Sequence, residues 1–309
     1  MRRASPEAEP APADGLDHAP ELLPSPCVGI CRLDAETGWC LGCARTAEEL
    51  AAWRDLPGGD QLVVWRDLPR RKALLGLGFR LLPWQGSGLL DRLAEASVAP
   101  GATWRIGVWG AAAELAPRPG AAIHAERSAQ GLRLRTPGGA LELMPPPGMR
   151  AFELAGASGR VDRVVLALHR ARVAGTFAKG LTELGADHAA IDAGRRGERL
   201  FDLGLARPPI RFCVRTGDVG LVARLRAAAG ADALGPAAGL LPHLLAASPD
   251  RVVHSPVGRI EVSGPIQRAA PSGPHTHLLP DLLAQERLLE PGFALPEGYV
   301  PCATLVRGG

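Results

Sequence analysis

Lysine is nearly missing from this chain. Only Lys72 and Lys179 occur in 309 residues, so almost every positive charge is an arginine, and with 38 glycines and 29 prolines this is the mark of GC-rich bacterial coding. The net charge is only +3, which leaves no chain-wide electrostatic footprint for nucleic acid. Long apolar runs are missing too. Residues 73–90 come nearest, but Arg80, Pro83 and four glycines interrupt them, which argues against a membrane-spanning helix. Residues 1–23 mix charges and prolines without an apolar stretch. They are read as a disordered tail rather than a secretory signal, and a cytoplasmic location is expected. G-x-S-x-G, Walker, H-E-x-x-H and strand-linked G-x-G-x-x-G motifs are all lacking. That removes the commonest signatures of hydrolases, nucleotide-binding proteins and zinc proteases and tilts the reading away from an enzyme.

What the chain does have is four cysteines within seventeen residues: Cys27, Cys31, Cys40 and Cys43, spaced C-x3-C-x8-C-x2-C. Thiolates are soft ligands, and four on two short knuckles can close a tetrahedral shell around zinc or anchor an iron-sulfur cluster. In a reducing compartment a disulfide reading fails. Gly38 supplies the turn between the knuckles, and Gly42 leaves room for backbone amides to point at sulfur. Thr46-Ala47-Glu48-Glu49 has capping-box spacing, so a helix is expected to begin at Ala47, with Leu50 and Trp53 covering the knuckle. Four thiolates leave no position for substrate, which favours a structural role.

The segment Ser25-Pro26-Cys27-Val28-Gly29-Ile30-Cys31, followed by Thr37-Gly38-Trp39-Cys40-Leu41-Gly42-Cys43 and Trp53, resembles a small bacterial domain of unknown function that is described as a predicted iron-sulfur protein. The resemblance spans residues 24–75 and implies that all four cysteines are ligands. The spacing itself leans toward zinc, and iron-sulfur stays open.

A short repeat follows, Ala52-Trp53-Arg54-Asp55-Leu56-Pro57 and then Val64-Trp65-Arg66-Asp67-Leu68-Pro69. Each copy reads as the last turn of a helix stopped by proline, with Leu50, Trp53, Leu62, Trp65 and Leu68 as a shared core. Arg66, Arg70, Arg71, Lys72 and Arg80 are read as a solvated helix face rather than a nucleic-acid interface.

The expected class is α+β: a four-cysteine module at 24–75, a linker at 76–100, and a larger domain with antiparallel sheet at 101–309, with a β-rich part at 101–158 and an α/β part at 159–309. Thr103–Trp109, 121–127, Leu132–Thr136 and Ala140–Met144 alternate as short strands, with a hairpin turn at Thr136-Pro137-Gly138-Gly139. Val161–Val173 reads as a helix carrying His169. Arg199–Leu205 and Ile210–Arg215 read as paired strands across Pro208-Pro209, Asp218 as the cap of a helix running to Ala229, and Gly258–Val262 as a further strand. The runs FDLGL, CVRTGD, GRIEV and GPHTHLLPDLL are similar to uncharacterised bacterial proteins, a resemblance that implies one recurring unit and no activity.

In that unit His275, His277 and Asp281 are the best candidates for a second site. In an extended segment the two histidines share one side, and with Asp281 they would complete a two-His-one-carboxylate triad. The competing reading, which is favoured, is a proline-bounded loop whose histidines bond backbone. Cys213 reads as buried and inert, Cys302 as a weak nucleophile candidate, and Asp202 and Glu261 as strand carboxylates that need a partner. Three functions remain open: a metal-binding protein whose larger domain binds a partner protein or small ligand, a metal-assisted enzyme built on the histidines, and a redox or cluster-carrying protein.

Overall fold

A computed structural model describes residues 23–155, 161–175, 177, 179–233, 235, 239–266 and 272–307; of the tail read at residues 1–23, residues 1–22 lie outside them, while Leu23 is buried, its amide donating to the Gln61 side chain. Thr46 and Glu49 close the expected capping box, each side chain accepting from the other's amide, and start helix α1 (Ala47–Ala52). Helix α2 (Gly58–Leu74) does not stop at Pro69. The second copy of the repeat therefore continues as helix, because the Asp67 carboxylate receives Arg70 and Arg71 one turn later and the turns on either side of the proline bury Leu68 and Lys72. The segment expected to be a linker carries strand β1 (Phe79–Leu81) and helix α3 (Gly86–Ser97).

Next come β2 (Thr103–Val108), β3 (Ala111–Leu115), β4 (His124–Arg127), β5 (Leu132–Thr136), β6 (Gly139–Leu143) and β7 (Arg150–Ala155). The turn between β5 and β6 is the hairpin foreseen, Thr136 pairing with Gly139. Strand β8 (Val161–His169) replaces the helix expected there, a 3₁₀ turn at Arg170–Arg172 following it. The error has a physical source. Val164, Leu166 and Leu168 face one way and Val165 and Ala167 the other, all buried, and a strand covered on both faces loses its alternation. Further along lie β9 (Thr182–Ala186), β10 (Arg199–Asp202), β11 (Arg211–Thr216), α4 (Val219–Ala227), α5 (Leu241–Ala247), β12 (Asp250–Ser255), β13 (Gly258–Val262), β14 (His275–Leu278), α6 (Pro280–Leu283) and β15 (Tyr299–Val306). Asp218 caps α4 through the Leu221 amide, as its position suggested.

The described strands form two antiparallel sheets, ordered β1-β7-β8-β15-β2-β3-β14 and β4-β5-β6-β13-β12-β11-β10-β9. The protein is α+β, as read. Both sheets take strands from either side of residue 158, so the larger domain does not divide there. The sheets pack face to face over a core that includes Trp104, Ile106, Leu115, Leu134, Leu141 and Ile260, with α3 adding Leu89, Leu90 and Leu93. On the outer face of the first sheet, Phe152, Leu154, Val165 and Ala167 pack against Val28, Trp53, Trp65 and Leu68 of the cysteine region. That region is therefore a cover for the sheet, and Arg150 ties it down through the carbonyls of Ser25 and Cys27.

Candidate functional site

The four cysteines lie on two segments joined by a bridge between Leu33 and Cys40 and by the Leu41 amide donating to the Arg32 carbonyl. Each carries a turn in which an amide points at sulfur: Gly29 N–H to Cys27 Sγ and Gly42 N–H to Cys40 Sγ, both at 3.4 Å. Gly38 has φ +69° in the turn between them, and a Cβ on Gly42 would lie 2.8 Å from the Ile30 carbonyl oxygen, so both glycines are sterically required. Cys40 and Cys43 are buried, Cys27 half-buried and Cys31 exposed. Burial pushes the Cys43 thiol up, while Arg45 pulls it down. The four sulfurs do not converge within 4.8 Å of one another.

Two buried cations stand beside the cysteines. Arg45 is buried over Trp53, its Nε 3.5 Å from Cys43 Sγ and its Nη1 without a partner. Lys72, read from sequence as solvated, is only 3% exposed over Phe79, and its burial pulls its pKa down to about 8 while Cys43 and Cys40 oppose that. Four thiolates around a divalent ion leave two net negative charges, and these two buried cations supply two positive ones.

A cavity of about 920 Å³ opens in the larger domain. Its origin is a parting of strands in the first sheet. β15 pairs with β8 along its whole length but with β2 only at Thr304, Leu305 and Val306. Beyond Thr304 the β2 ladder stops, where β15 carries a bulge between Pro301 and Ala303 in its pairing with β8 and a proline that has no amide to donate. Gly107, Val108, Pro301, Cys302 and Ala303 then line the opening, and Leu244 and Leu245 of α5 face it from another side. A mostly apolar wall of this size is the usual shape of a small-molecule site.

One rim of the cavity is polar. Arg105 bridges Glu114 and Glu290, and Arg163 donates to Glu290 at 2.5 Å. β14 is an edge strand paired with β3, His275 opposite Glu114 and His277 opposite Ala112, so both imidazoles share Glu114's face and both line the cavity. The extended geometry anticipated from sequence is present; its acid is not. Asp281 lies on α6 outside the group, and Glu114 takes its place, with one ligand atom each from Glu114, His275 and His277 within 4.8 Å of one another. The backbone contact expected of the loop also exists, His275 Nδ1–H donating to the Gly273 carbonyl at 2.9 Å. In the neutral ring this leaves a lone pair on Nε2, 3.3 Å from Glu114 Oε2. Two lone pairs at that distance need a proton or a cation between them. Burial holds His277 below the usual imidazole range, with Glu114 opposing.

Arg251, 5% exposed, also lines the cavity. Its register places it in an inward row across the second sheet, Phe201–Val214–Arg251–Val262. Its Nη1 donates to the carbonyls of Pro249 and Gly264 at 3.0 and 2.7 Å, and its Nε has no partner. Burial pulls its pKa below the usual guanidinium range, opposed only by Asp250. A small polar chamber of about 30 Å³, shared with Arg118, Ser263 and Ser272, adjoins the cavity at Arg251, His275 and Thr276.

The remaining candidates are structural. Glu261 belongs to a closed ion cluster in which Arg215 meets Asp187, Asp250 and Glu261 at 2.8–3.0 Å and Arg259 meets Asp187 and Glu261. Asp202 accepts from the Gly204 amide, burial pushing its pKa up. Cys213 is buried in the outer row, its thiol pushed far up by burial. Cys302 does line the cavity with the histidines, but burial pushes it up to about 12, which makes it a poor nucleophile. Sequence reading missed Glu114 and Arg251. Glu114 sits in Ala111-Ala112-Ala113-Glu114-Leu115, which has no β-branched residue to signal a strand. In Asp250-Arg251-Val252-Val253-His254, adjacent valines hide which face is apolar.

The family described as "Family of unknown function (DUF6925)" matches residues 89–307, and "Protein of unknown function (DUF1289)" matches residues 25–72. No curated protein and no solved structure matches the chain.

Proposed function

We propose that this chain, which belongs to the family of unknown function DUF6925, is a small-molecule-binding protein whose cavity between β2 and β15 takes an apolar ligand, and whose four-cysteine segment is a metal-stabilised cover on the outer face of the same sheet. The observation that carries the reading is the cavity itself. It opens where a sheet strand carries a bulge and a proline, devices that recur where a sheet makes room for a site. A saturable rise in Nile red fluorescence on titration into the full chain, lost in Leu244→Trp, is expected. A wild-type protein that gives no saturable signal would contradict the reading.

For the cover, Cys27, Cys31, Cys40 and Cys43 hold one zinc ion or one iron-sulfur cluster, and the two buried cations favour a doubly negative centre of either kind. Elemental analysis with optical spectra of anaerobically purified protein separates them: zinc without visible absorption, or iron with it. Finding neither would remove the metal.

A second reading rests on the facing lone pairs of His275 and Glu114. A divalent ion held by Glu114, His275 and His277 would leave open positions toward the cavity and make the protein a metal-assisted enzyme. Zinc stoichiometry one equivalent lower in His277→Ala than in wild type is the expected result. Equal stoichiometry would contradict a metal at this site.

A further inference from the structure

We infer that the cavity's ligand carries a carboxylate, held by Arg251, while its apolar body lies along the cavity. This deepens the ligand-binding reading and rests on it.

Three observations converge. The first is placement: Arg251 occupies an inward row otherwise filled by Phe201, Val214 and Val262, where an arginine carries a desolvation cost that an aliphatic residue would avoid. The second is incomplete pairing. Among the described residues no carboxylate meets Arg251; two backbone carbonyls take Nη1, and Nε is buried without a partner. The third is access, since Arg251 lines both the large cavity and the polar chamber that also has Arg118, Ser263, Ser272 and Thr276 on its wall. A guanidinium presents a planar fork that matches a carboxylate, and such a charge-assisted pair gains strength in a water-poor cavity. A ligand lacking an anion would leave the buried charge unanswered.

The test is calorimetric titration of the full chain with laurate and with dodecanol, which share an apolar chain and differ in the head group. Laurate binding about tenfold or more tighter than dodecanol, with the preference abolished in Arg251→Met, is expected. Equal affinity for acid and alcohol in the wild type would overturn the role of Arg251 while leaving the apolar cavity intact. Failure of both to bind would overturn the ligand-binding reading and this inference with it. The acid-to-alcohol ratio is read on unmodified protein, so the test survives even if Arg251→Met folds poorly.

Discussion

Arg215 and Arg251 stand one register step apart on neighbouring strands, Arg215 pairing with Asp250 and Arg251 with Val214. Both are deeply buried, at 1% and 5% exposure, and each has a buried Nε without a partner, yet only Arg215 is met by carboxylates. Arg215 points to the outer face, where Asp187, Asp250 and Glu261 surround it within 3.0 Å and the residue 187–198 loop seals the cluster, the Ile191 amide donating to Glu261. Arg251 points inward, to a cavity and two carbonyls. Buried charge alone is therefore a poor guide to function. A charge matched within the fold is architecture, whereas one left half-answered beside an open cavity is an invitation to a ligand.

The largest expected effect is on the matched side. Arg215→Met would remove the cation that Asp187, Asp250 and Glu261 share, leaving Arg259 alone against two of them, and is expected to lower unfolding stability by about 3–5 kcal/mol, measured by urea denaturation. A loss below about 1 kcal/mol would mean the cluster is wet, and the contrast between the two arginines would fail.

A smaller effect probes the same outer face by pH. His254 is half-buried there, its pKa pulled down to about 3 by desolvation and by Arg259 and Arg211, against Asp187. Its folded value lies below its unfolded one, so the stability it contributes is complete above pH ~6.5 and is lost as pH falls toward its folded value. Between pH 6 and 5 this adds a slope of at most about 1.4 kcal/mol per pH unit. His254→Leu is expected to flatten that part of the stability curve. An unchanged slope would show that the ring is solvated.

The smallest effect has the opposite sign. Arg251→Met removes a half-paired buried charge and keeps the volume, so stability without ligand is expected to hold or rise by up to about 1 kcal/mol. A loss as large as that of Arg215→Met would make Arg251 a structural residue.

How much of this was legible in the sequence follows from what kind of pattern each feature leaves. The capping box at Thr46, the two-residue turn at Pro137-Gly138 and the cap at Asp218 are local, and local chemistry was sufficient to place them. Strand β8 was mistaken for a helix because burial on both faces erases alternation, and β3 went unseen because three alanines signal no strand. That miss concealed Glu114, so the histidines of β14 were matched with Asp281, near in sequence, rather than with the acid opposite His275 in the ladder. Arg251 was invisible for the same reason in sharper form. Its meaning depends on which way it faces and on the absence of a carboxylate, and both are set by pairings with residues up to about 50 positions away. Lys72 looked like part of a basic patch because nothing local shows that Phe79 and the cysteine segment cover it.

The most direct test of the contrast is carbon-13 NMR of carboxyl-labelled laurate bound to the full chain, followed as pH is lowered. Pairing with Arg251 favours the ionised form. The bound carboxyl resonance is therefore expected to stay at its ionised position well below the pH at which the free acid titrates, and to lose that protection in Arg251→Met. A bound carboxyl that is already protonated at neutral pH, or that titrates like the free acid, would contradict the account.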